Sequence, residues 1–146
     1  MTYLLKFKRN DDSFEINLCK SAPIQIKPMP NIYELIRYWK HKGYNEIIDV
    51  GCGKLRNSLI LVKYFALWIY DFPEQLENPC IESRITTLKK NPNFRGVIHP
   101  NEFKKGKLNA DAAFMCFVLH IIPEKNLRVK LIEDTIKNLK TPYEIF

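Results

Sequence analysis

The chain has 146 residues, 46% of them apolar, and a formal charge of +7. That is the size of one domain with enough apolar matter for a core. No apolar run is long enough to span a bilayer, and the start, "MTYLLKFKRNDD", lacks the apolar stretch and small-residue cleavage site of a secretory signal. Cys19, Cys52, Cys80 and Cys116 form no C-x-x-C pair and share no ligand spacing with the three histidines. They read as reduced thiols of a cytoplasmic protein, not as a disulfide framework or a metal site. The positive charge is compatible with a nucleic acid, but the lysines are spread along the chain, which favours a generally solvated basic surface.

In chain order, "YLLKFKRNDDSFEINL" alternates apolar and polar residues on both sides of a polar turn, with Leu5, Phe7, Phe14, Ile16 and Leu18 in phase. This predicts a β-hairpin. The three prolines of "KSAPIQIKPMPN" then force an extended connector. Residues 1–30 are accordingly expected to form a hairpin extension and connector, and 31–146 the main domain.

Asn31 is placed to cap a helix with Ile32, Leu35, Ile36 and Trp39 on one face and Gly43 as its stop. "EIIDV", Glu46 to Val50, predicts a strand buried on both faces. "KLRNSLILVKYF" predicts a helix and "ALWIYD" a strand ending at Asp71. "PEQLENPCIESRITTLKKNPN" is helical with a break around Pro79. "RGVIH" is a short strand and "DAAFMCFVLH" another, with His99 and Asn101 between them in a loop or beside a ligand. The last helix should bury Leu127, Leu131, Ile132, Ile136 and Leu139, before "YEIF" starts a further strand. Helices alternating with short apolar strands predict an α/β fold with a doubly wound, mostly parallel sheet. Such a sheet takes ligands beyond the carboxyl ends of its strands, where the strand order reverses. "GCGK", directly after Val50, occupies that position.

Gly51 and Gly53 allow a tight turn and a close approach of a ligand to the backbone. Twenty residues after Gly51 stands Asp71, where a carboxylate is placed to accept hydrogen bonds from both hydroxyls of a ribose; alternatively it is a loop acid or helix cap. A dinucleotide fingerprint, the mark of a nicotinamide-dependent oxidoreductase, needs a third glycine where Arg56 stands. An acid, Asp49, instead lies two residues before the first glycine.

The motif "DVGCG" resembles the D/E-x-G-x-G motif of class I S-adenosylmethionine-dependent methyltransferases. "VLHIIP", Val118 to Pro123, is similar to the exit of the fourth strand of their sheet. The resemblance covers roughly Lys20 to the C-terminus. More narrowly, "KSAPIQIKPMPNIYELI", "DVGCGKLRNSL" and "VLHIIPEKNLR" resemble a group of small bacterial methyltransferases. The resemblance implies S-adenosyl-L-methionine as cofactor. Asp49 would lie near the amino end of its methionine part, Gly51, Cys52 and Gly53 along the turn, Asp71 at the ribose, and Phe117 and Val118 beside the methionine and methyl. His120 would be a general base or merely close the turn.

Four further positions carry a weaker implication: His99 and Asn101 beside the adenine, Tyr70 stacked on it, and Lys20 to Pro23 folded over the cofactor. Each has a plain reading as loop, core or linker. Arg56 and Asn57 most simply begin a helix.

Two departures stand out. Leu55 occupies the third glycine position of G-x-G-x-G, so its side chain must point away from the cofactor or restrict the turn. The sequence also ends within the fifth strand of a seven-stranded family fold. Either it belongs to a longer chain or the protein dispenses with the substrate half, acting as a binding or regulatory module and leaving a sheet edge for a homodimer. The N/D-P-P-Y/F element of DNA amino-methyltransferases is not present at "FVLHIIP". The expected activity is methyl transfer to an acceptor that the motifs do not identify.

Overall fold

The computed structural model describes residues 4–9, 12–18, 27–116 and 118–146. Strands β1 (Leu4–Arg9) and β2 (Asp12–Asn17) pair antiparallel, with Phe7 opposite Phe14. This is the expected hairpin; its turn residues 10–11, the connector residues 19–26 and Phe117 lie outside the described residues. Phe7 and Leu18 are buried and pack with Val118, Ile122 and Phe72, which fixes the hairpin against the main body.

Helix α1 (Ile32–His41) buries Ile32, Ile36 and Trp39. Asn31 holds the cap position through its backbone: it is left-handed, with φ 67°, and its carbonyl accepts from the N–H groups of Glu34 and Leu35, while its side chain makes no cap bond. Strand β3 (Glu46–Val50) runs parallel to β4 (Ala66–Tyr70) on one side and to β6 (Ala112–Phe114) on the other, and β4 pairs with β5 (Phe94–Val97). The order β5-β4-β3-β6 means that the chain winds outward from β3 in one direction, then crosses it and continues in the other. Residues 143–146 extend the sheet beyond β6: Ile145 bridges Ala113 in parallel, and Phe146 N–H donates to the Ala113 carbonyl at 2.9 Å. The expected further strand is therefore present as a single bridge.

Both faces of the sheet are covered. Ile47, Leu67, Ile69 and Phe114 join Trp39, Phe65 and Ile81 on one face, while Ile48, Val50, Ala113 and Phe103 fill the other. This is the doubly wound α/β architecture that the alternating pattern predicts, with a separate antiparallel hairpin.

Several elements differ from expectation. The helix after the glycine loop is a short α2 (Ser58–Leu61), because residues 51–57 are spent on a turn in which Leu55 is left-handed, with φ 65°. The broken helical stretch becomes α3 (Pro73–Leu76), a 3₁₀ turn at Pro79–Ile81 and α4 (Glu82–Lys89). "HPNEFKK" is not a plain loop. It forms α5 (Pro100–Lys105), with His99 Nδ1 accepting from Asn101 N–H at its start and left-handed Gly106 at its end.

Strand β6 stops at Phe114, and Leu119–Ile121 is a 3₁₀ turn. Helix α6 (Lys125–Lys137) buries Asp134 and Thr135, with Asn138 and Leu139 just beyond, whereas Leu127 is 39% exposed. Polar groups hold it in place: the Asn138 amide donates to the carbonyls of Phe103 and Asp134, both at 2.8 Å. Among the described residues no helix is long and apolar enough to cross a membrane.

Candidate functional site

The turn after β3 is built by bonds to the neighbouring strand and helices. Gly51 N–H donates to the Tyr70 carbonyl at 2.8 Å, carrying the strand pairing one residue past β3. The buried Gln75 amide donates to the Gly53 carbonyl at 2.9 Å, and Arg84 donates to the Lys54 carbonyl. Leu55 is fully buried in the core, so its side chain does point away from the turn. The Asn57 side-chain oxygen accepts from Met29 N–H at 2.9 Å, tying the segment before α1 to the same turn.

Two buried carboxylates stand at the tips of the adjacent strands β3 and β4. Asp49 accepts from the Ser58 hydroxyl at 2.5 Å. Asp71 accepts from Gly53 N–H through Oδ2 at 2.8 Å and from Phe72 N–H through Oδ1 at 2.7 Å. Burial pushes the Asp49 carboxyl up to about 7; the Ser58 hydroxyl opposes this and the Asp71 charge adds to it. Burial likewise raises Asp71 to about 6, against the two N–H groups that favour its charged form. The Cys52 thiol, buried beside both acids, is pushed well above its usual value.

These groups line a cleft of about 380 Å³, a volume suited to a small organic ligand. Gly51, Cys52, Gly53 and Lys54 form its floor, with Asp49 and Asp71 beside them. Cys116, Val118, His120 and Ile121 form the wall beyond β6. Arg56, Asn57, Phe72, Gln75 and Leu18 complete the lining.

Of the residues singled out in the sequence, Asp49, Gly51, Cys52, Gly53, Asp71, Val118 and His120 therefore meet in one cleft, and Phe117 and the Lys20–Pro23 segment lie outside the described residues. Gly51 serves a purpose the motif does not convey: its missing side chain makes room for Val118, whose Cβ lies 2.4 Å from where a β-carbon would sit. Tyr70 stacks on Phe103, with ring centroids 3.8 Å apart, on the far core face, and is not among the cleft residues. His99 and Asn101 shape the start of α5 and are not among them either.

Sequence reasoning missed Phe72, Gln75, Leu18 and Ile121. Phe72 carried a signal, being an aromatic residue directly after the acid that ends β4. Gln75 carried none, since its role depends on where α3 lands. Together the cleft offers hydrogen-bond acceptors at one end of each central strand and an apolar wall of Leu18, Phe72, Val118 and Ile121, an arrangement that takes a polar ligand carrying one flat apolar part.

No protein-family model matches the chain, nor does any curated protein sequence. Solved structures do. The methyltransferase domain of the bacterial protein CtHen1 is 19% identical, with a TM-score of 0.56 over 75% of this chain and 60% of that one. YcgJ of Bacillus subtilis is 16% identical, with a TM-score of 0.55 over 75% of this chain and 46% of that one. A SAM-dependent methyltransferase from Aquifex aeolicus is 22% identical, with a TM-score of 0.51 over 77% of this chain and 63% of that one. This chain thus spans less than two thirds of each of the three. What it shares with them is the fold: the chain has a class I methyltransferase-like fold.

Proposed function

We propose that the cleft binds S-adenosylmethionine and that the protein transfers its methyl group to an acceptor. The observation that carries this reading is the pair of buried carboxylates, Asp49 and Asp71, at the tips of β3 and β4 on either side of the glycine turn. Their partners are the Ser58 hydroxyl, the Gly53 and Phe72 N–H groups and the Cys52 thiol; a carboxylate has about four acceptor positions, so capacity remains for a ligand's hydroxyls and ammonium. Asp71, already oriented by Gly53 and Phe72, would hold the ribose hydroxyls. Asp49 would face the cationic methionine end, where a positive charge offsets the cost of burying its own negative one.

Phe72, Leu18 and Ile121 would pack against the adenine. The backbone of Gly51 to Gly53 would run along the methionine chain, with Val118 closing the other side. When bound, this cofactor supplies a methyl group already activated by a sulfonium. The protein's residues are left to align it and exclude water, which in well-oriented systems contributes up to roughly 7–11 kcal/mol. His120, on the cleft wall, would take a proton from an acceptor that needs a base.

Calorimetric titration with S-adenosylmethionine and S-adenosylhomocysteine tests the reading. Micromolar binding is expected, weakened at least tenfold by Asp71→Ala. Failure of the wild-type chain to bind either compound at 1 mM would overturn it.

A further inference from the structure

Leu55, the departure from the glycine motif, decides where Arg56 goes. The Cys52 carbonyl accepts from Leu55 N–H at 2.9 Å, and Leu55 is left-handed with its side chain fully buried in the core. Helix α2 begins only at Ser58, so Arg56 belongs to the turn, where it is half-buried and lines the cleft. We infer that Arg56 is the specificity-determining cation of the cleft: its guanidinium takes the α-carboxylate of an amino-acid head whose α-ammonium faces Asp49. The inference rests on the cofactor reading above and adds what that site selects, a nucleoside with an intact amino-acid end over one that lacks the carboxylate.

Cys116, on the wall beyond β6, marks the end of the cleft concerned. Burial pushes its thiol up; the Arg56 guanidinium opposes this and the Asp49 charge adds to it, so a cation and an anion both act on one side chain of that wall. Asp71, Phe72 and Gln75 line the other end, beside β4. The cleft therefore carries a carboxylate at the tip of β4 and a pair of opposite charges toward β6. A ribose suits the first and a zwitterion the second.

The type of cation matters. A guanidinium is always charged and holds a carboxylate through two parallel N–H···O bonds. Half-buried, such a pair is less screened than one on the surface. Asp49 and Asp71 would repel a carboxylate entering their cleft, and Arg56 offsets that repulsion where the head lies. The segment is also anchored on both sides of Arg56. Asn57 accepts from Met29 N–H at 2.9 Å, and the Lys54 carbonyl accepts from Arg84. The ligand therefore meets a turn that is already fixed, which lowers the ordering cost of binding.

The test compares S-adenosylhomocysteine with S-adenosyl-3-thiopropylamine, which keeps the ammonium and lacks only the carboxylate. Both are titrated calorimetrically into the full chain. The wild type should prefer the first by about tenfold or more. Arg56→Gln should bring the two within about threefold, by weakening S-adenosylhomocysteine while leaving the amine within twofold. Arg56→Lys keeps the charge but not the fork; it should retain part of the preference, and it serves as the variant should Arg56→Gln fail to fold. Equal wild-type affinity for both compounds, an equal loss for both in Arg56→Gln, or an undiminished preference in either variant overturns the inference and leaves the cofactor reading intact. Failure of both compounds to bind the wild type at 1 mM overturns the two together.

Discussion

Gly51 and Val118 fit each other so closely that neither position tolerates a larger neighbour: a β-carbon on Gly51 would lie 2.4 Å from Val118 Cβ and 2.5 Å from its Cγ2. Gly51 is also left-handed, with φ 71°. Gly51→Ala thus combines backbone strain with a clash against a buried side chain, and should cost about 2–4 kcal/mol. Adding Val118→Ala removes the Cγ contacts but not the Cβ contact, so urea denaturation should show only partial recovery in the double variant. Full stability in Gly51→Ala would show that the loop and the wall beyond β6 are not packed this way.

The two acids give the unliganded protein an unusual pH dependence. Asp49 and Asp71 have folded values of about 7 and about 6, above the ordinary 3.8. The folded state therefore holds more protons than the unfolded state between those limits, and stability falls as pH rises from about 4 through 7. The two shifts together set an upper bound of about 7 kcal/mol on this loss. Asp49→Asn should flatten much of this fall in denaturation experiments at pH 5 and pH 8. Ser58→Ala, by removing the hydroxyl that favours charged Asp49, should move the fall to higher pH. A cationic ligand reverses the sense: its affinity should rise over the same interval, with protons released on binding.

Two aromatic residues flanking Asp71 separate core from site. Tyr70 stacks on Phe103 inside the fold, whereas Phe72 lines the cleft and meets Phe7 edge-on at 6.0 Å. Tyr70→Ala should lower stability by about 3 kcal/mol and leave nucleoside affinity nearly unchanged in the fraction that is folded. Phe72→Ala should weaken nucleoside binding about tenfold. Calorimetry beside thermal melts distinguishes the two, and the reverse pattern would place the adenine against Tyr70.

Local patterns carried the sheet and most of the site because each depends on few residues. "EIIDVGCG" encodes a buried strand, its exit and its turn within eight positions, and Asp71 ends the next strand at a spacing set by one crossover. The failures have physical causes. Helix α6 and its exit do set Leu131 and Leu139 against the core, but Leu127 at the start of the expected apolar face stays outside, and the Asn138 amide adds a tie to the Phe103 carbonyl that the apolar pattern does not convey. Helix α5 was missed although Pro100 and Gly106 mark its ends. Tyr70 was a candidate for the adenine because it borders Asp71, yet successive strand residues point to opposite faces.

Gln75 is the residue that translates the position of α3 into the shape of the glycine turn. Its buried amide donates to the Gly53 carbonyl, and Gly53 in turn donates its N–H to Asp71. Removing the amide leaves that carbonyl without this donor and frees the turn on one side. Gln75→Met keeps the length and volume but not the donor, and should lower stability by about 1 kcal/mol. If the turn aligns the ribose acceptor, the same change should weaken S-adenosylhomocysteine several-fold. Gln75→Glu retains the length but sets a negative charge against the Gly53 carbonyl, and should be worse than methionine on both measures. An unchanged affinity in Gln75→Met with reduced stability would assign the residue a purely structural role, with Asp71 held in place by Gly53 and Phe72 regardless of the Gln75 amide.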